Sequence, residues 1–305
     1  MIVGFVGDLH GRVLHALALI ATWQKQNRRR FDLLVQVGDM GAFPDMAILE
    51  RTANRHFALD PSQRDFVRLM QADADLAEAL STLGGTIGTP VHFIRGNHEE
   101  FNWLEQLPRD SGSGTAAVDR FGLLRYVPDG TVMRFGKLRF AFLGGVEERS
   151  DAAGIDRNAY EALLTLKPGS IDVLVTHQGP YGSSAGFRGD IHGSRMITDL
   201  IERSRPTFHV AGHAHVSSGP TRFGDTSYLG LDCIVASPLY HPEAQGFQPG
   251  CLGVLDTDHS KLEPVTDDWL ADFETPFDFD DWYERNEMSD LSWRRYSCRG
   301  SSRRD

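Results

Sequence analysis

The chain has 305 residues, 41% hydrophobic and 24% charged, with a formal net charge of -11. This is a globular composition, long enough for one large α/β domain or two small ones. The acidic balance speaks against a general nucleic-acid binder, which carries a basic face, while leaving room for local basic pockets. Cys233, Cys251 and Cys298 are too few and too scattered for a disulfide framework or a zinc pattern, and they fit a reducing compartment. The first residues show neither the basic nor the apolar region of a signal peptide. No apolar run nears the ~18 residues of a membrane span. A soluble cytoplasmic protein with no membrane partner is expected.

Ile2 to Val6 reads as a buried strand ending at Gly7-Asp8-Leu9-His10-Gly11. Leu14, Leu17, Ala18 and Ala21 then recur at helical spacing. Asn27-Arg28-Arg29-Arg30 closes that helix with cations where a helix C-terminus favours them. The apolar run from Phe31 to Val37, stopped by Gly38-Asp39, is a second strand, and strand–helix–strand implies a parallel pair. Asp60-Pro61 reads as a cap with a first-turn proline. One amphipathic helix through Phe66, Leu69, Met70, Leu76, Ala77, Leu80 and Leu83 follows, ended by Gly84-Gly85. Pro90 to Arg95 is a third strand, closing on Gly96-Asn97-His98-Glu99.

Short strands are expected at 123–127, 131–135 and 137–143, and a helix at 159–166. A buried strand at 171–175 closes on Thr176-His177. The glycine-rich region from Gly179 to Gly193 is a candidate substrate loop. A helix over Met196, Ile197, Leu200 and Ile201 precedes a strand at 208–211, which ends on Gly212-His213-Ala214-His215. Further short strands are expected near 227–229, 233–236 and 251–255. Past Asp267 the composition turns acidic and aromatic, then arginine- and serine-rich. The expected organisation is a main domain over 1–265 with a C-terminal extension over 266–305, partly disordered.

Each polar cluster follows a buried strand, and the carboxyl ends of strands in an open α/β sheet converge on one crevice. Asp8 and His10 are two apart, as are His213 and His215, so in extended chain each pair faces one side. Asn97 and His98 are adjacent and diverge. Asp39 has two carboxylate oxygens and can bridge two cations. Imidazole and carboxylate donors suit manganese, iron, zinc or nickel, and their number exceeds what one structural zinc needs. Two ions sharing a carboxylate is the arrangement used for in-line displacement at phosphorus.

The blocks Gly7-Asp8-Leu9-His10-Gly11, Gly38-Asp39, Gly96-Asn97-His98-Glu99, Thr176-His177 and Gly212-His213-Ala214-His215 resemble, in order, those of the calcineurin-like metallophosphoesterase superfamily. The resemblance implies a four-layer α/β/β/α sandwich with a dinuclear centre of divalent or trivalent ions, manganese and iron ahead of zinc and nickel. It implies that one ion takes Asp8, His10, Asp39 and His215, and the other Asp39, Asn97, His177 and His213. His98 then stands near the leaving group as proton donor or charge stabiliser. The implied activity is metal-dependent hydrolysis of phosphoester bonds by a metal-activated hydroxide.

The Asp-Arg-Gly of serine/threonine phosphoprotein phosphatases is missing after the second block, where this chain has Met40-Gly41-Ala42. The run from Gly96 to Pro108 looks somewhat like the lariat debranching enzymes, which typically have cysteine where this chain has Asp8. A phosphorylated small molecule or nucleotide is the expected substrate, with nucleic acid still open; the alternatives are a phosphodiesterase acting on nucleotides or RNA, and a catalytically silent metal-binding scaffold. Arg12 and Arg95 are candidate phosphate contacts, and His192 a candidate substrate contact. Glu99 either orients His98 or a ligand residue through a hydrogen bond, or lies on the surface. His15, His56, His92, His209, His241 and His259 match no block and are expected to be core or surface residues.

Overall fold

The computed structural model describes residues 1–52, 61–185, 191–235, 249–273 and 277–286. Two sheets lie face to face. From edge to edge the first runs Lys261–Pro264, Leu252–Asp256, Ile2–Val6, Leu33–Gln36, Val91–Phe93, Leu124–Tyr126 and Ala116–Ala117. The second runs Ser218–Phe223, Thr226–Gly230, Phe208–Gly212, Val173–Gln178, Leu138–Leu143 and Val132–Phe135. Ile2–Val6, Leu33–Gln36 and Val91–Phe93 are parallel, as are Leu138–Leu143, Val173–Gln178 and Phe208–Gly212. The carboxyl ends of each parallel set therefore lie together.

The two-residue alternation of the strands makes the layers. Val3, Phe5, Leu33 and Val35 point inward to meet Phe140, Phe142, Val173, Val175 and Val210 of the second sheet. Ile2, Val6 and Leu34 point outward, onto Leu14, Leu17 and Ala21 of the helix Val13–Asn27 and Leu80 and Leu83 of the helix Ala74–Ile87. On the far side Ala141, Leu143 and Leu174 meet Tyr160 and Leu163 of the helix Arg157–Leu164, and Met196, Ile197, Leu200 and Ile201 of the helix Arg195–Ser204. The result is the expected α/β/β/α sandwich. Each fully buried Val, Leu or Phe contributes roughly 1.5–3 kcal/mol against exposure to water.

Three details differ from expectation. The single helix expected through 66–83 is two, Asp65–Met70 and Ala74–Ile87, because the Asp73 side chain accepts the Leu76 N–H and starts a new helix. Gly84-Gly85 lies inside the second helix, which stops at Gly88, where φ is 80°. No strand forms over 233–235. There the Cys233 N–H goes to Asp232 Oδ1 and the Ile234 N–H to Asp8 O, so the segment braces the Asp8 loop.

Leu270, Phe273, Phe279 and Trp282 pack into the same core as the first helix, and His15, Phe273 and Phe277 form a cluster of near-parallel rings. His56, His241 and residues 287–305 lie outside the described residues. No helix among the described residues is long and apolar enough to cross a membrane.

His209 is fully buried in the second sheet, and burial pushes its pKa down to about 3. The unfolded chain takes up that proton below about pH 6.5 and the folded chain does not, so the group's contribution to stability falls as pH drops from 6.5 toward 3. The slope for one such histidine is about 1.4 kcal/mol per pH unit at most. Urea titrations between pH 6.5 and 4.5 should show the wild type losing stability more steeply than His209→Leu; parallel slopes would contradict the burial of a neutral imidazole.

Candidate metal centre

Asp8 and His10 follow the strand Ile2–Val6, Asp39 follows Leu33–Gln36, and Asn97 and His98 follow Val91–Phe93. His177 lies near the end of Val173–Gln178, and His213 and His215 follow Phe208–Gly212. The two sheets thus bring their ligand loops to one edge of the sandwich. Asp8, His10, Asp39 and His215 form one group of donors and Asp39, His177 and His213 another, with the atoms of each group within 4.8 Å of one another.

Asp39 belongs to both. Its Oδ2 lies 3.8 Å from His10 Nε2 and its Oδ1 3.4 Å from His177 Nε2. Oδ1 also accepts the backbone N–H groups of Asn97 (2.6 Å) and His98 (2.8 Å), which ties the third strand's loop to the second. Asp8 accepts the His213 N–H at 3.1 Å and sits 3.1 Å from His215 Nε2.

The donor chemistry fits cations. His177 Nδ1 donates to Val37 O at 3.0 Å, which leaves the lone pair on Nε2. That lone pair faces Asn97 Oδ1 at 3.1 Å as well as Asp39 Oδ1, so three acceptor atoms converge. His10 Nε2 and His215 Nε2 face each other at 3.0 Å. Burial outweighs the nearby carboxylates and holds His10 down at about pKa 3 and His213 at about 4, so both offer neutral imidazoles at pH 7. His215 moves the other way: burial opposes its charge, but the hydrogen bond and charge of Asp8 win and raise its pKa. Asp39 is held below the usual carboxylate range: burial pushes upward, and the electrostatics of the imidazoles around it, His177 first, override it.

The loops are tight by necessity. A Cβ at Gly212 would fall 2.2 Å from Asp8 Oδ1, and one at Gly96 would fall 2.1 Å from Asp39 Oδ1. Among the described residues, seven non-glycine residues have positive φ; two are helix C-caps, Arg28 and Arg205, and four are His10, Asp39, His213 and His215. Holding a side chain in that region costs roughly 1–3 kcal/mol each, and such residues cluster at functional sites.

The remaining candidates divide. His98 is exposed, with its ring 5.2 Å from that of His10, while Asn97 turns to His177; the adjacent pair diverges as its spacing implied. Arg12 is buried and donates to Leu9 O at 3.3 Å. Arg95 departs from the expected phosphate contact. It is buried and donates to Asp129 Oδ2 (2.6 Å), Ala152 O (2.6 Å) and Gly154 O (2.8 Å), so it welds three loops together. Glu99 is neither a surface carboxylate nor a partner of the His98 ring. It is buried, and accepts the backbone N–H groups of Met40 (2.8 Å), Ala42 (2.7 Å) and Gly96 (3.3 Å), clamping the Asp39 loop onto its own. Burial and the Asp39 charge raise its pKa to about 8. His192 is exposed and belongs to neither donor group.

Sequence reasoning missed two positioning devices. Gln36 sits inside the second strand, and its amide donates to Gly7 O (3.1 Å) and Gly38 O while Oε1 accepts the Gly38 N–H (3.1 Å), locking the two aspartate loops together. A glutamine in an otherwise apolar buried run was the available signal. The second device is a β-bulge: Val210 opposes Val175 but Gly212 opposes Gln178, so Thr176-His177 face Ala211 alone. Bulges re-aim side chains beside active sites. The buried Thr176 Oγ1 donates to Gln178 O across the bulge (2.7 Å) and lies 2.7 Å from His209 Nε2.

Fold and site together define a two-sheet sandwich with clustered side chains able to bind metal at its strand ends. The family model described as calcineurin-like phosphoesterase matches residues 1–217, and the chain belongs to that family. UPF0046 protein K07C11.7 of Caenorhabditis elegans is 29% identical over 147 residues, 45% of this chain and 49% of that protein. The lariat debranching enzyme of Drosophila pseudoobscura pseudoobscura is 23% identical over 273 residues (74% of this chain, 47% of that protein). That of C. elegans is 25% identical over 326 residues (88% and 58%). The chain spans about half the length of the relatives it matches.

Thr176→Val keeps the size of the side chain and removes the hydroxyl that spans the bulge. It should weaken binding at the His177 group about 10–100-fold, the usual scale for losing a partner that orients a ligand, and leave the Asp8–His10 group near its wild-type affinity. Calorimetric titration with manganese would read this; two unchanged sites would remove the role, and Thr176→Ser should restore it.

Proposed function

We propose that this chain is a metal-dependent hydrolase of phosphoester bonds. The observation that carries the proposal is Asp39, whose two oxygens face two separate groups of donors, with the His177 lone pair and Asn97 Oδ1 converging on one of them. Asp8, His10, Asp39 and His215 would hold one ion, and Asp39, Asn97, His177 and His213 the other. Imidazole and carboxylate donors with no thiolate favour manganese or iron, with zinc or nickel next. When bound, two such ions polarise the phosphoryl oxygens and make hydroxide available near neutral pH for in-line attack.

The chain's own residues supply orientation and proton handling. His98 is held by its backbone N–H on Asp39 while its ring stays exposed, so it can meet a substrate's leaving group and give it a proton. Glu99, Gln36 and the Thr176 bulge keep the donors in place before substrate arrives. In this reading residues 1–265 are the catalytic domain, and 266–305 an extension docked through Phe273 and Trp282. Cys233 and Cys251, free and buried, support a reducing, cytoplasmic setting.

A second reading, a phosphodiesterase acting on nucleotides or RNA, is favoured by matches to lariat debranching enzymes that cover 74% and 88% of the chain. The net charge of -11 favours a small phosphorylated molecule or a single nucleotide over long nucleic acid. Aryl phosphate mono- and diesters, assayed with added manganese, separate these readings. Hydrolysis of neither by the metal-loaded protein would leave a silent metal-binding scaffold.

His98→Asn should keep both metal sites and lose roughly 10²–10⁴-fold in rate, the scale for removing a general acid; an unchanged rate would reject the assignment. Asp39→Asn should weaken both sites together, and elemental analysis that found two full sites in that variant would rule out a shared ligand.

A further inference from the structure

Tyr181, Ile191, His192, Gly193, Arg195, Glu147 and Glu148 line a surface cavity of about 380 Å³, a size that takes a small ligand. Among the described residues three large hydrophobic side chains are exposed, and two of them, Tyr181 (36%) and Ile191 (61%), are in this cavity. The Arg195 guanidinium lies over the Tyr181 ring, 4.0 Å from its centroid. The Tyr181 backbone is fixed by its N–H, which reaches Ser194 O and Thr198 Oγ1, each at 3.0 Å. A flat aromatic and cationic platform is thus held open to solvent.

The cavity is joined to the metal centre by one side chain. Gln178 follows His177 directly; its Oε1 accepts the Glu147 N–H (2.8 Å) and its Nε2 donates to both Glu148 oxygens (3.0 and 2.8 Å). Both carboxylates are already hydrogen-bonded within the protein. Glu147 Oε2 accepts Ser194 Oγ (2.8 Å) and the N–H groups of Arg195 (2.7 Å) and Met196 (3.2 Å), and Glu148 accepts from Gln178. Arg195 supplies the cavity's positive charge.

We propose that this cavity is a nucleobase subsite, taking the base of a nucleotide ester whose phosphate lies at the metal centre. The proposal rests on the phosphoester reading above and names its substrate class. A planar heterocycle stacks on the Tyr181–Arg195 pair and covers Ile191, and an exocyclic amino group donates to Glu148, whose oxygens keep lone pairs to spare. An alkyl chain would leave Arg195 and Glu148 without matching groups. A sugar would leave the guanidinium plane unfilled. Adenine, cytosine and guanine meet all three demands.

The test compares two substrates with one leaving group: the p-nitrophenyl ester of AMP and the p-nitrophenyl ester of ribose 5-phosphate, each with the manganese-loaded full chain. Stacking on an aromatic residue corresponds to roughly 5- to 100-fold per base on alanine substitution. Tyr181→Ala and Arg195→Ala should each raise KM for the AMP ester by a factor in that range. The abasic ester should stay within about twofold, and Tyr181→Phe should behave as wild type. Equal effects on both esters, or none on either, would overturn the subsite while leaving the hydrolase standing. If the wild type cleaves neither of these diesters, the diesterase reading fails instead. The subsite is then decided on metal-free protein by calorimetry: AMP binding tighter than ribose 5-phosphate, with the difference lost in Tyr181→Ala, supports it, and equal binding overturns it.

Discussion

Two buried carboxylates, Asp8 and Asp39, are the constraint around which the molecule is arranged. A carboxylate out of water is tolerated only if hydrogen bonds and opposite charge replace its hydration. Asp39 receives two backbone N–H groups from the third strand's loop, and Asp8 receives the His213 N–H from the opposite sheet. The imidazoles complete the setting: Asp8 raises the pKa of His215, while burial keeps His10 and His213 neutral. The same convergence that makes the aspartates tolerable makes a cradle for cations.

Keeping that cradle costs backbone strain, and the strain is contained by polar side chains that do no chemistry themselves. Gln36 joins the Asp8 and Asp39 loops, Glu99 joins the Asp39 and His98 loops, and Thr176 sets the bulge that carries His177. Each acts on backbone groups, so each fixes a loop rather than a single rotamer. Beneath them the inter-sheet layer is built from Val, Leu and Phe and offers the site no polar group. The scaffold and the site are therefore separable: one is apolar and redundant, the other polar and specific.

The clustered donor residues were legible because their positions follow from short-range rules. A buried strand followed by glycine and a donor, with donors two apart, puts Asp8 with His10 and His213 with His215 wherever the strands go. What escaped needed three-dimensional partners. Arg95 looked free until Asp129, Ala152 and Gly154 closed on it from distant loops. Glu99 looked ambiguous because its acceptors' partners lie on another strand's loop. The expected helix over 66–83 followed apolar periodicity, which continued across Asp73 although the capping side chain restarted the backbone there. Thr176 was legible only as the neighbour of His177 in its block, since nothing in one strand reveals a bulge defined against the next strand.

The donors' distribution has a mechanical consequence. Asp8 and His215 follow strands of different sheets and meet at one rim of the sandwich, above the apolar layer through which those strands pack. A cation shared by the two would act as a clasp across that seam, fastening two sheets that no hydrogen-bonded ladder joins. Starving the protein of metal should then loosen this rim before the helices come away, so the ion's supply would govern the chain's endurance as well as its chemistry.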